Sequence, residues 1–144
     1  MISIGCDHGG YDLKQVVMRH LEERGLEYKD FGCYDKSSCD YPEFGRSAAM
    51  AVAGGECDKG IVICTTGIGI SIAANKVKGI RCALCTGTEL ARMTRLHNDA
   101  NMLALGASAV SEELAVQIVD VFLDTEFSGE ERHKRRVNMI EEGL

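Results

Sequence analysis

Gly60-Ile61-Val62-Ile63-Cys64 is a nearly unbroken apolar, β-branched run, and a glycine-rich turn, Thr65-Thr66-Gly67-Ile68-Gly69, follows it directly. A strand that is apolar on both faces has to be covered on both faces, as in parallel sheets flanked by helices. The rest of the chain repeats the theme. Ile2–Cys6 is a short apolar run closed by Asp7-His8-Gly9-Gly10, a turn signal. From Asp12 to Arg24, Leu13, Val16, Val17 and Leu21 recur at helical spacing, and Gly25 stops the helix. A weaker strand over Glu27–Phe31 precedes a polar loop through Asp40-Tyr41-Pro42, and an alanine-rich helix spans Phe44 to Val52. Helix Ile70–Lys76, strand Ile80–Cys85, helix Glu89–His97, strand Met102–Leu105, helix Glu112–Leu123 and a charged terminal helix from Glu130 to Glu142 complete the reading. Strands separated by helices predict an α/β fold: a five-stranded parallel sheet, helices on both faces, three layers and a C-terminal helix.

With 144 residues and a single proline, the chain fits one domain over residues 1–144 without an interdomain linker. A domain of this size buries roughly two-thirds of its unfolded surface and needs neither disulfide nor metal to fold. A net charge of −6 argues against nucleic acid or an anionic membrane as partner, yet leaves room for an anionic substrate held by local arginines. No basic segment followed by an apolar run opens the chain, and no stretch nears about 18 apolar residues, so a soluble, cytoplasmic protein is expected. The seven cysteines are expected to be thiols in a reducing compartment. Cys82-x-x-Cys85 lacks a second pair and sits in an expected strand, where residues three apart point to opposite faces, so no metal is expected.

Chemistry concentrates in three places. Successive backbone N–H groups from Gly67 through Ile68, Gly69, Ile70 and Ser71, between a buried strand and a helix N-terminus, make an anion cradle. It lacks the G-K-[ST] ending and the third glycine of the nucleotide-binding loops. Cys64 ends the strand against those donors, a position that favours thiolate and hence a base or nucleophile; a small buried hydrophobe is the competing reading. His8 beside Asp7, and His97 beside Asn98 and Asp99, are histidines a carboxylate can orient for proton transfer. The second group precedes its strand, which points to the opposite sheet edge, so a neighbouring subunit would have to bring it to the site. Arg132 and Arg136, four apart on one helix face, suit a phosphate clamp or a solvated ion-paired face.

Taken in order, these segments resemble the type B ribose-5-phosphate isomerase and galactose-6-phosphate isomerase family. The likeness runs through Gly5–Gly10, Asp40-Tyr41-Pro42, Ala53-Gly54-Gly55, Cys64 to Lys76, Gly79-Ile80-Arg81, His97-Asn98-Asp99-Ala100-Asn101, and Arg132-His133 with Arg136-Val137. The resemblance implies a Rossmann-like domain, no metal or organic cofactor, and a homodimer with shared active sites, or a tetramer built from it. It implies an aldose–ketose isomerase of pentose phosphate metabolism that takes ribose 5-phosphate to ribulose 5-phosphate through a cis-enediolate. By position, Cys64 is the base, supported by Thr66, and the N–H groups of Gly67 to Ser71 hold the enediolate oxygens. His97 of the second subunit assists ring opening. Asp7, Tyr41 and Asn98 position sugar hydroxyls, while His8, Arg132 and Arg136 bind phosphate.

The sequence departs from that pattern at Thr65, where glycine is usual, at Ser108, where an arginine usually joins the clamp, and at Glu130-Glu131, where Gly-Gly is frequent. The first two touch the expected pocket. They leave allose 6-phosphate or galactose 6-phosphate open as substrates, with a non-catalytic sugar-phosphate sensor as the rival of another class.

Overall fold

The structure is a computed structural model and describes residues 1–143. The strands are β1 (Ile2–Cys6), β2 (Tyr28–Asp30), β3 (Lys59–Cys64), β4 (Cys82–Leu84) and β5 (Met102–Gly106). The helices are α1 (Tyr11–Glu23), α2 (Tyr41–Ala53), α3 (Ile68–Asn75), α4 (Thr88–Asn98), α5 (Glu112–Asp124) and α6 (Glu131–Glu142). All strand pairs are parallel, in the order β2-β1-β3-β5-β4. This is the expected three-layer α/β architecture.

The period of two along each strand decides which helix covers it. Ile61 and Ile63 of β3 and Leu103 and Leu105 of β5 face one side, packing with Leu13, Val17 and Leu21 of α1 and Ile118 and Phe122 of α5. Val62 and Cys64, with Met102 and Ala104, face the other, against Ala48 and Val52 of α2 and Ile70 and Ala74 of α3. The small side chains of α2 let it lie close to the sheet. Each fully buried Ile or Leu contributes about 1.5–3 kcal/mol over an exposed one. Cys64 therefore points to the α2–α3 side, at the carboxyl end of the most enclosed strand.

Most element boundaries shift from the sequence reading by one residue at most, and three elements shift by two or more. Helix α2 begins at Tyr41 rather than Phe44, because Asp40 is extended and Pro42 falls in the first turn, where its missing N–H costs nothing. Helix α3 begins at Ile68 rather than Ile70, since Gly67 at φ 78° completes the turn sooner. Strand β4 spans three residues rather than six and pairs with β5 alone, a short edge strand.

Lys14 of α1 is fully buried. Its Nζ donates to Asp30 Oδ1 at 2.7 Å and to the Cys33 carbonyl at 2.5 Å, which provides the pairing a buried charge requires. It fastens the loop after β2, residues 31–40, onto α1.

Candidate active site

Chain direction reverses across the sheet between β1, which leads outward to β2, and β3, which leads toward β5 and β4. The carboxyl ends of strands at such a switch point form a crevice. Asp7 and His8 leave β1 there, beside Cys64 to Gly69 leaving β3; Cys6 is in register with Ile63, and Cys64 with Gly106.

Cys64 is 5% exposed in the single chain, and its Sγ accepts the Gly67 N–H at 3.1 Å. The sulfur stands where the core ends and the turn begins. Thr66 Oγ1 accepts the N–H of Ile68 at 3.2 Å. Ser71 closes the first helical bond, its N–H donating to the Gly67 carbonyl at 3.2 Å, and its hydroxyl donates to Ile68 O. The N–H groups of Gly69 and Ile70 lie in the first turn of α3, ahead of any intrahelical acceptor, where the helix dipole favours negative charge. Of the five amides singled out in the sequence, Gly67 serves the sulfur, Ile68 the Thr66 hydroxyl and Ser71 the helix, which leaves Gly69 and Ile70 as the two able to donate to an anion.

Gly67 has no substitute: besides its positive φ, a Cβ there would lie 2.8 Å from the Gly106 backbone nitrogen. Gly69 lets the Tyr41 ring lie on the turn, since a Cβ would meet Tyr41 Cζ at 2.7 Å. Tyr41 thus borders the cradle from α2.

Asp7 is buried, and its Oδ1 accepts the Gly10 N–H at 3.0 Å, capping a short 3₁₀ turn over His8–Gly10. That turn projects His8 into solvent. The Cys39 N–H donates to His8 Nδ1 at 3.2 Å, so Nδ1 is the acceptor and the neutral ring carries its proton on Nε2. Cys39, expected from sequence only to be a thiol, thereby helps to orient His8 through its backbone N–H; only the path of the loop over residues 31–40 reveals this.

The remaining candidates form a second cluster. His97 and Asn98 end α4, ahead of the amino end of β5 and hence at the sheet edge opposite Cys64. The His97 ring stacks on His133 of α6, with centroids 4.3 Å apart and planes inclined 17°. Arg132 and Arg136 flank His133 on α6, and Arg132 pairs with Glu130 at 2.9 Å. Asn98 Oδ1 accepts from Thr94 Oγ1 at 3.1 Å. Burial, then the neighbouring His97, then Arg132 push the His133 pKa below the ordinary histidine value. Within one chain the structure thus brings Asp7, His8, Tyr41, Cys64, Thr66 and Gly67–Ser71 together, and holds His97, Asn98, Arg132 and Arg136 apart from them. His133 stood in the sequence only as part of a basic run and of the Arg132-His133 segment of the family likeness, with no role assigned to it.

Cys85 is buried, which pushes its thiol up to about 11; burial raises that of Cys82 further still. Among the described residues, no group of three His, Cys, Asp or Glu side chains is arranged to hold a metal ion.

The geometry has relatives. The family model described as Ribose/Galactose Isomerase matches residues 2–140. Ribose-5-phosphate isomerase B of Escherichia coli (strain K12) is 49% identical, covering 96% of this chain and 93% of the relative. Galactose-6-phosphate isomerase subunit LacB of Clostridium acetobutylicum is 40% identical, covering 99% and 82%. The solved structure of Clostridium thermocellum ribose-5-phosphate isomerase B superposes with a TM-score of 0.96 at 57% identity, covering 98% of this chain and 95% of that one. By the extent of these matches, the chain belongs to the ribose/galactose isomerase family of enzymes.

Proposed function

We propose that this enzyme interconverts ribose 5-phosphate and ribulose 5-phosphate, with Cys64 as the base, in a homodimer whose two active sites each draw on both subunits. The observation that carries the reading is the bond between the Gly67 N–H and Cys64 Sγ, 3.1 Å long, at the mouth of the α3 cradle. It sets an acceptor of protons and donors for an oxyanion within one turn. Relatives named as ribose-5-phosphate isomerase B support the substrate.

The chemistry runs as follows. Cys64 thiolate takes the proton from C2 of the open-chain aldose, leaving a cis-enediolate. The Gly69 and Ile70 N–H groups hold its oxygen, an interaction worth about 3 kcal/mol per donor in comparable sites. The O2 proton passes to O1, the C2 oxygen becomes the carbonyl, and the thiol, whose proton can meanwhile exchange with water, returns a proton to C1. Thr66 supports the turn, Asp7 and Tyr41 hold sugar hydroxyls, and the Nε2–H of His8 faces the phosphate. His97, Asn98, Arg132 and Arg136 act from the second subunit: His97 as general acid in ring opening, Asn98 on a hydroxyl and the arginines on the phosphate. Their place at the edge opposite Cys64 supports a shared site, because one chain alone holds each half at a different end of the sheet. No organic cofactor or metal enters this scheme.

Seven free cysteines support a reducing, cytoplasmic setting. No helix among the described residues is long and apolar enough to cross a membrane. A tetramer built from the dimer is compatible with the same site.

The reading is tested by exchange of the substrate C2 proton with solvent, followed by deuterium uptake into ribose 5-phosphate. Exchange with turnover is expected; binding without exchange would make the protein a sugar-phosphate sensor. A coupled assay across aldose phosphates settles the sugar. A second substrate reading, galactose 6-phosphate, is favoured by the LacB relative, and the higher kcat/KM on that sugar would establish it.

A further inference from the structure

The turn that carries Cys64 is gripped by the loop after β5. The Ala107 N–H donates to the Cys64 carbonyl at 2.9 Å, and the Ser108 N–H to the Thr65 carbonyl at 2.9 Å. Ser108 Oγ donates to the same Thr65 oxygen at 2.7 Å. One carbonyl thus accepts two bonds from one residue, which fills both its lone-pair directions and fixes the plane of the peptide between Thr65 and Thr66.

The hydroxyl of Ser108 is not spent on its own loop. Helix α5 is capped by Ser111, whose Oγ accepts the Leu114 N–H. The turn after β5 closes through the N–H groups of Ala109 and Val110 on the Gly106 carbonyl. The Ser108 side chain serves the neighbouring turn instead. Contact between the two is close: a Cβ on Gly106 would lie 2.4 Å from the Thr66 carbonyl oxygen, and one on Gly9 would lie 2.1 Å from Thr65 Oγ1. Thr65 is therefore lodged between the loops after β1 and β5, with Ser108 as its latch.

We propose that Ser108 is a positioning residue for Cys64, its two bonds to the Thr65 carbonyl holding the turn in the register that delivers the Gly67 N–H to Sγ. The planes after Cys64 and after Thr65 are both pinned by this loop, and the next peptide carries the Gly67 N–H. Loss of the hydroxyl leaves the second plane held by the Ser108 N–H alone, so the plane can tilt, the N–H···S bond lengthens and the sulfur's donor weakens. The proposal rests on the reading of Cys64 as the base, and it extends that reading to a residue outside the groups assigned to proton transfer and substrate binding.

The test compares Ser108→Ala with Ser108→Thr, which keeps the hydroxyl. Ser108 is exposed and the loop's own hydrogen bonds remain, so both variants are expected to fold. In Ser108→Ala, kcat is expected to fall about fivefold, the order of one hydrogen bond, with KM nearly constant, and Ser108→Thr is expected to restore it. A second readout needs no turnover: alkylation of Cys64 by iodoacetamide, followed by peptide mass spectrometry against pH. Its profile is expected to move to higher pH in Ser108→Ala alone. An unmoved alkylation profile overturns the proposal, as does a lowered melting temperature with kcat intact. If Cys64→Ala still turns over, the assignment of the base fails, while the alkylation profile still judges Ser108.

Discussion

The imidazole of His97 lies face to face on that of His133, 4.3 Å between centroids, and the inner ring pays for the contact in basicity. His133 is buried, its Nε2 has no hydrogen-bond partner, and the nearest carboxylate, Glu130, is 3.9 Å away. Two stacked cations repel, and Arg132 and Arg136 add to the field. The folded pKa of His133 is therefore below the unfolded value of about 6.5. In the window between the two, the unfolded chain binds more protons, so stability rises with pH there and is lost as pH falls from neutrality. Urea midpoints measured from pH 7 downward are expected to decline. His133→Gln is expected to flatten that decline, and an identical slope in the variant would show that His133 does not cause it.

Cys64→Ala is expected to remove proton transfer by at least about a thousandfold, within the range of a positioned base, while leaving the far-ultraviolet spectrum unchanged. The side chain is small and ends its strand, so the fold loses little. Wild-type protein treated with iodoacetamide is expected to lose activity together with modification at Cys64. At 5% exposure this reaction is a demanding check: full activity with Cys64 unmodified, or a sulfur that no reagent reaches, would place it in the core rather than in the chemistry.

Because the two clusters occupy opposite sheet edges, inactive variants are expected to complement one another. Cys64→Ala mixed with His97→Asn, after unfolding and refolding together, is expected to recover about one quarter of wild-type activity, since in the proposed dimer half of the pairs would be mixed and each would have one intact site. Silence of the mixture, with mixed dimers shown by mass spectrometry, would mean that the halves do not meet across a subunit boundary.

His8→Asn removes the Nε2 donor. Loss of a hydrogen bond to a charged group costs about 1.5–3 kcal/mol, so KM is expected to rise at least about tenfold, with kcat affected less. Inorganic phosphate is expected to inhibit the wild type more strongly than the variant. Equal inhibition would move the phosphate away from His8.

Gly67→Ala meets two obstacles, a positive φ of 78° and the Gly106 backbone 2.8 Å from the new Cβ. It is expected to cost more than about 1 kcal/mol in denaturant unfolding and to disable the cradle. A variant with wild-type kcat would show that the turn has freedom to spare.

Local sequence determined which segments are strands and helices and the contents of the cradle, because these depend on neighbours a few residues apart. The alternation through Gly60–Cys64 put Ile61 and Ile63 on one face and Val62 and Cys64 on the other, and the turn from Thr65 to Gly69 stood next to the sulfur by connectivity alone. Boundaries shifted where a single φ or a proline cap decided them, as at Gly67 and Tyr41. Only the tertiary structure decided that Lys14, a charged residue among apolar positions, is fully buried against Asp30 and Cys33; that Cys39 reaches His8; that His133 underlies His97; and that Ser108 latches Thr65. Each of those pairs joins residues distant in the chain, and their meeting depends on the strand order β2-β1-β3-β5-β4. Periodicity fixes which face of an element is buried. It carries no information about which element arrives to cover it.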